Sequence, residues 1–111
     1  MTVKGVPREK VEKVRLEFLP SLAETLGIEQ KWEEVISEQG HNSITSVIDL
    51  LNRLAVRYPR FGELVFDVST QKLTGKVSIF INNRHLTLVS GLETRLKEGD
   101  VLTFVPLIEG G

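Results

Sequence analysis

Hydrophobic and polar positions alternate first at Val14, Leu16 and Phe18, with Arg15 and Glu17 between them. That is the period of a strand with one buried face, and Pro20 ends it. Residues Ser21 to Gly27 suit a single short helical turn, and Trp32, Val35 and Ile36 predict a second strand paired with the first. Gly40, His41 and Asn42 read as a loop. Ser46 then stands three residues before Asp49 in the arrangement of a capping box, which predicts a helix over 46–58. Its apolar positions Val47, Leu50, Leu51, Leu54 and Tyr58 form one stripe, and Pro59 stops it.

The stretch 60–76 mixes Phe61, Leu64, Val65 and Phe66 with Gly62 and Gly75, which predicts a connector with a short extended piece. Val77, Ile79 and Ile81 alternate with Ser78, Phe80 and Asn82, and Asn82-Asn83 supplies residues that tolerate positive φ in a tight turn. His85 to Val89 predicts a short returning strand, and Lys97-Glu98-Gly99-Asp100 a further turn. The last strand runs Val101 to Val105, with Leu102 and Phe104 on one face and Val101, Thr103 and Val105 on the other. Pro106 cannot donate a ladder hydrogen bond, so pairing should weaken there. Two strands, a long helix and several short strands make an α+β chain. The expected core joins Leu50, Leu51 and Leu54 of the helix to Leu16, Phe18, Ile79, Ile81, Leu102 and Phe104 of the sheet.

Composition narrows the function classes. A length of 111 residues fits one domain, here 11–111, preceded by an extension at 1–10 that carries Gly5, Pro7 and four charges without periodicity. Lys and Arg number 14 against 15 Asp and Glu, for a net charge of −1, so nothing suggests a nucleic-acid footprint. The absence of cysteine removes disulfides, thiolate nucleophiles and cysteine-ligated metal centres. His41 and His85 each lack neighbouring ligand types, so no metal site is expected. Without a long apolar run or a secretory leader, the expectation is a cytoplasmic protein with no membrane partner.

The sequence ends Leu107-Ile108-Glu109-Gly110-Gly111, directly after a strand. Two glycines form a thin tail able to thread a narrow channel in another protein, and its reactive group would be the carboxylate of Gly111. A terminal Gly-Gly alone is a weak signal. Taken with the preceding Leu96-Lys97-Glu98-Gly99-Asp100, the apolar strand Val101 to Val105 and Pro106, the segment resembles the end of the MoaD/ThiS family of ubiquitin-like sulfur carriers. The helix ending at Tyr58-Pro59 and the strand leading into Asn82-Asn83 carry the resemblance back through most of the chain after Val11. The helix and the chain length are more similar to the small subunit of molybdopterin synthase than to the shorter thiamine carrier. Glu109 stands where the family has small residues, and Asn83 replaces a turn glycine.

The resemblance implies a β-grasp fold, a mixed sheet with one main helix across one face. It also implies a chain that catalyses nothing itself and binds no cofactor. An adenylating partner uses ATP and magnesium to turn the Gly111 carboxylate into an acyl adenylate, and a sulfur donor protein supplies the nucleophile that leaves a thiocarboxylate. In a molybdopterin synthase, the tail would enter the active site of the large subunit. The carboxylate needs this activation because, with a reference pKa of about 3.3 to 3.7, it is an anion and a poor electrophile at neutral pH. Thiamine-type sulfur transfer and conjugation to protein lysines would use the same group, and a non-covalent binding module with idle glycines is a fourth reading.

Partners also need a rigid surface beside the tail. If Leu102 and Phe104 face the helix, then Phe80, Thr103 and Val105 lie on the opposite sheet face, and with Pro106, Leu107 and Ile108 they make the candidate docking surface. The plainer reading is that the 1–10 extension or the 60–76 connector covers that face. Trp32 reads as a packing residue with its indole N–H near the surface. Arg95 and Lys97 are equally readable as contacts for an acidic partner or as solvated surface.

Overall fold

The computed structural model describes residues 11–38 and 43–107. The predicted 1–10 extension, the loop at 40–42 and residues 108–111 lie outside them. The chain order is β1 (Val11–Phe18), α1 (Pro20–Leu26), β2 (Lys31–Glu38), α2 (Val47–Arg57), α3 (Pro59–Leu64), β3 (Phe66–Asp67), β4 (Lys72–Leu73), β5 (Val77–Ile81), β6 (Arg84–His85), two 3-10 turns and β7 (Val101–Pro106). Five strands form one mixed sheet in the order β2-β1-β7-β5-β6. β7 lies at its centre, parallel to β1 and antiparallel to β5. This is the β-grasp arrangement, and the expected α+β class holds.

Alternation decides which face is buried. Val14, Leu16, Phe18, Val77, Ile79, Ile81, Leu102 and Phe104 point to one side and are all buried. Leu50, Leu51 and Leu54 of α2 meet them with no exposed surface, each such side chain contributing about 1.5–3 kcal/mol by leaving water. An aromatic row reinforces the centre. Phe18 stacks on Phe104 at 4.3 Å and on Trp32 at 5.5 Å, while Phe61 meets Phe104 edge-on at 6.0 Å.

Three expectations are refined. Ser46 is the N-cap, as the capping box predicts, but its side chain does not close the box. Asp49 accepts from the hydroxyl and N–H of Thr45, at 3.0 and 3.3 Å. Pro59 ends α2 and also opens α3, because its fixed φ suits a first helical position. The 60–76 connector is therefore a helical turn followed by the β3-β4 hairpin. Beyond His85 the chain enters a 3-10 turn at Leu86–Leu88 rather than a strand. There the ring nitrogen of His85 accepts from the Thr87 N–H at 3.2 Å and draws the backbone into a turn.

Candidate functional site at the end of the central strand

The predicted tail emerges from β7, and local chemistry fixes where that strand starts and stops. At its start Gly99 adopts φ +88°, a left-handed conformation that favours glycine. The adjacent Asp100 is buried and accepts from the Lys97 N–H at 2.8 Å and from Asn82 Nδ2 at 2.9 Å. Asn82 in turn accepts the Val101 N–H at 3.0 Å. Asn82 and Asn83 sit at φ 51° and 70°, as a tight hairpin requires. The two turns, read separately in the sequence, are thus one hydrogen-bonded unit that sets the register of β7 against β5.

The far end explains why Pro106 is tolerated. Phe104 accepts from the Leu19 N–H at 3.2 Å on the β1 side, and backbone groups alternate along a strand. Pro106 therefore directs its missing donor toward the side where β1 has already ended at Phe18. Pairing with β5 continues past it, since the Leu107 N–H donates to the Lys76 carbonyl at 2.9 Å. The expected weakening at Pro106 does not free the chain before Leu107.

The structure brings three of the six predicted docking residues onto one face, and it places Pro106 opposite Val77 on the other, helix-facing side. Phe80 lies directly opposite Thr103, and Ser78 opposite Val105, so Phe80, Thr103 and Val105 share the face turned away from α2. All three are half-buried rather than fully exposed. The Phe80 ring meets the His85 ring edge-on at 5.2 Å. Pro106 is half-buried and Leu107 exposed. Ile108, Gly110 and Gly111 fall outside the described residues. The 60–76 segment packs with α2, on the helical side of the sheet. Across β1 and β2 the same outer face becomes charged, with Lys13 and Arg15 within 3.8 Å of Glu33 and Glu17. Of the two residues weighed for an acidic partner, Lys97 gives its N–H to Asp100 and Arg95 bridges the backbone of Ser46, both with exposed side chains.

Sequence reading missed a second cluster, at the junction of β2 and α2. Glu34 is buried and accepts from Trp32 Nε1 at 2.8 Å, from Arg53 Nη1 at 3.0 Å, and from Arg57 at 3.0 and 2.6 Å. Burial pushes its carboxyl up, but the hydrogen bonds from Arg57, Trp32 and Arg53 outweigh this and hold it below the usual carboxylate range. The i, i+4 spacing of Arg53 and Arg57 was the one available signal, and it names no partner on another element. Among the described residues no group of acids and histidines is placed to hold a metal ion, and no helix is long and apolar enough to cross a membrane.

Fold and site together define a ubiquitin-like β-grasp domain whose central strand leads into the predicted tail. The model of the ThiS family matches residues 16–111, and the chain belongs to that family of ubiquitin-like sulfur carriers. A candidate sulfur carrier protein of Archaeoglobus fulgidus is 40% identical over 40 residues, which are 36% of this chain and 46% of that relative. The match thus spans about half of the curated relative's length. The solution structure of small archaeal modifier protein 1 from Methanosarcina acetivorans superposes with a TM-score of 0.70 at 25% identity, covering 92% of this chain and 99% of that one. A candidate molybdopterin converting factor, subunit 1, from Pyrococcus furiosus gives a TM-score of 0.62 at 23% identity, covering 87% and 99%.

Proposed function

We propose that this chain carries sulfur on the carboxylate of Gly111 as the small subunit of a molybdopterin synthase. The observation that best supports the reading is the position of β7. The strand is held on both sides, and its last backbone bond among the described residues lies at Leu107. Four residues follow in the sequence, enough to reach about 14 Å when extended. A rigid sheet can thereby present a slender reactive end to another protein's active site. The family match, which runs through residue 111, supports the sulfur-carrier part of this reading.

In this reading the Gly111 carboxylate attacks the α-phosphorus of ATP in an adenylating partner and releases pyrophosphate. The terminal sulfur of a persulfide on a donor protein then attacks the acyl carbon and displaces AMP, and a thiol cleaves the resulting acyl disulfide, leaving the thiocarboxylate and a disulfide on the donor. ATP and magnesium belong to the partner. This chain supplies the carboxylate, the tail and a docking surface on the face of Phe80, Thr103 and Val105, beside the strand end at Pro106, Leu107 and Ile108. The large synthase subunit receives the tail and passes the sulfur to a pterin precursor.

Incubation with the cognate adenylating enzyme, ATP, magnesium and a sulfur donor is expected to exchange one terminal oxygen for sulfur, read by intact mass spectrometry. Deleting Gly111 shifts the reacting carbon by about 3.3–3.6 Å. That should abolish transfer without affecting folding, since a misplacement near 1 Å already costs about a hundredfold. Gly110→Val keeps the carboxylate but thickens the tail, and should also fail. Full activity in either variant refutes the reading. The likeness to small archaeal modifier protein 1 favours a second reading, conjugation of the same carboxylate to protein lysines, which would appear as lysine-linked adducts instead of sulfur transfer to a pterin.

A further inference from the structure

The side of β5 that faces away from β7 is only partly covered. In the β5-β7 ladder, the Asn82 N–H donates to the Val101 carbonyl at 2.8 Å and the Leu107 N–H to the Lys76 carbonyl at 2.9 Å. Antiparallel bonds recur at every second residue, so Ser78 and Phe80 also face β7. Val77 and Ile79 therefore turn their backbone groups to the outer side. There β6 stands opposite Phe80 and Ile81 only. Past His85 the chain curls away, and the Leu86 carbonyl is taken by the Val89 N–H at 3.2 Å. Among the described residues, no strand pairs with Val77 on this outer side.

This open length borders a cavity of about 350 Å³ lined by Leu73, Val77, Ile79, Leu86, Leu92 and Leu107, with no carboxylate in its wall. Unpaired strand edges template a further strand, and pockets beside such an edge select alternate side chains of the added segment. Lys76 and Arg84 flank the open length. Both are exposed, and neither makes an ion pair among the described residues.

We propose that the β5 edge binds an extended, acidic peptide segment of a partner protein as an added strand, with an apolar side chain in the cavity beside Leu107. The backbone of Val77 and the N–H of Ile79 hold the segment's main chain, the Ile79 carbonyl being taken by the β5-β6 pairing, and Lys76 and Arg84 meet its carboxylates. A second copy of this chain suits the edge less well, because two-fold pairing of β5 with itself brings Lys76 and Arg84 of both copies to one seam. The site is distinct from the face of Phe80, Thr103 and Val105 and does not depend on the sulfur-carrier reading. Its place beside Leu107 sets a docked segment next to the root of the tail.

The test titrates the full chain, labelled with nitrogen-15, with the synthetic peptide Asp-Asp-Val-Ile-Val-Ile-Asp-Asp and follows backbone amides by NMR. The expected result is saturable shifts centred on Val77, Ser78 and Ile79. Methylating alternate backbone nitrogens of the peptide removes hydrogen bonds but keeps its side chains, and should weaken binding about tenfold. The double variant Lys76→Glu with Arg84→Glu should weaken the acidic peptide and bind the analogue with lysine in place of aspartate. Equal binding of the methylated peptide overturns the proposal, as do shifts confined to Phe80, Thr103 and Val105. Concentration-dependent shifts at β5 without peptide would assign the edge to a second copy and overturn it as well.

Discussion

Replacing Glu34 with glutamine tests whether an ion cluster fastens α2 to β2. The carboxylate accepts four hydrogen bonds from three side chains and is 6% exposed. Glutamine keeps the shape and one acceptor oxygen, but it removes the charge and turns an N–H₂ group toward a guanidinium that can only donate. Removing one partner of a buried ion pair costs about 3–5 kcal/mol. Here the Arg53 and Arg57 side chains are 26% and 41% exposed, so water compensates part of the loss. The expected cost falls to about 2 kcal/mol.

With a urea slope of about 1–3 kcal/mol per molar, the denaturation midpoint should drop by about 1 M. The pH dependence separates the ionic contribution from simple misfit. Glu34 is held below its ordinary range because hydrogen bonds and the Arg57 charge outweigh burial. Its stabilisation is therefore complete above the unfolded-state value of about 4.3 and fades as pH falls through the lower folded value. The gap between wild type and Glu34→Gln should be constant near neutrality and narrow in acid below about pH 4. An unchanged midpoint, or a gap that stays constant through the acid range, would refute this account.

Leu54→Ala removes a side chain with no exposed surface at the helix–sheet contact and should cost about 2–5 kcal/mol in chemical denaturation; an unchanged midpoint would place the helix face wrongly. Val105→Asp puts a charge on the half-buried outer face opposite Ser78. It should leave the melting temperature near wild type while weakening association with the adenylating partner in calorimetry. Loss of folding would assign Val105 to the core instead.

The regular elements were legible because each carries its own period. Val14, Leu16 and Phe18 announce a half-buried strand, and Leu50, Leu51 and Leu54 a helix stripe, and both meanings depend only on near neighbours in sequence. The connector was not, because Pro59 sends two messages. It forbids continuation of one helix and is well suited to the first turn of another, and the choice falls to Phe61, whose burial against Phe104 and Phe18 is a tertiary fact. His85 is similar, since its bonds to Thr87 favour a turn over the strand its apolar followers suggest.

Legibility at the candidate site divides along the same line. Gly110-Gly111 and the Gly99-Asp100 turn are local and stand out in the sequence. What gives the tail a platform is not local, because β7 is central only through β1, whose matching residues lie 86 positions earlier along the chain at Leu16 and Leu102. A strand at a sheet edge would present the same glycines from a root that could fray. A central strand, bonded on both sides, resists that fraying. In the sulfur-carrier reading proposed above, the bond from Leu107 to Lys76 fixes the root of the tail relative to the face carrying Phe80 and Val105. A partner that grips that face has about four residues of chain in which to place the Gly111 carbon. For that reason substitutions that shift the β7 register, such as those at Asn82 or Asp100, should disturb transfer even where the diglycine itself is untouched.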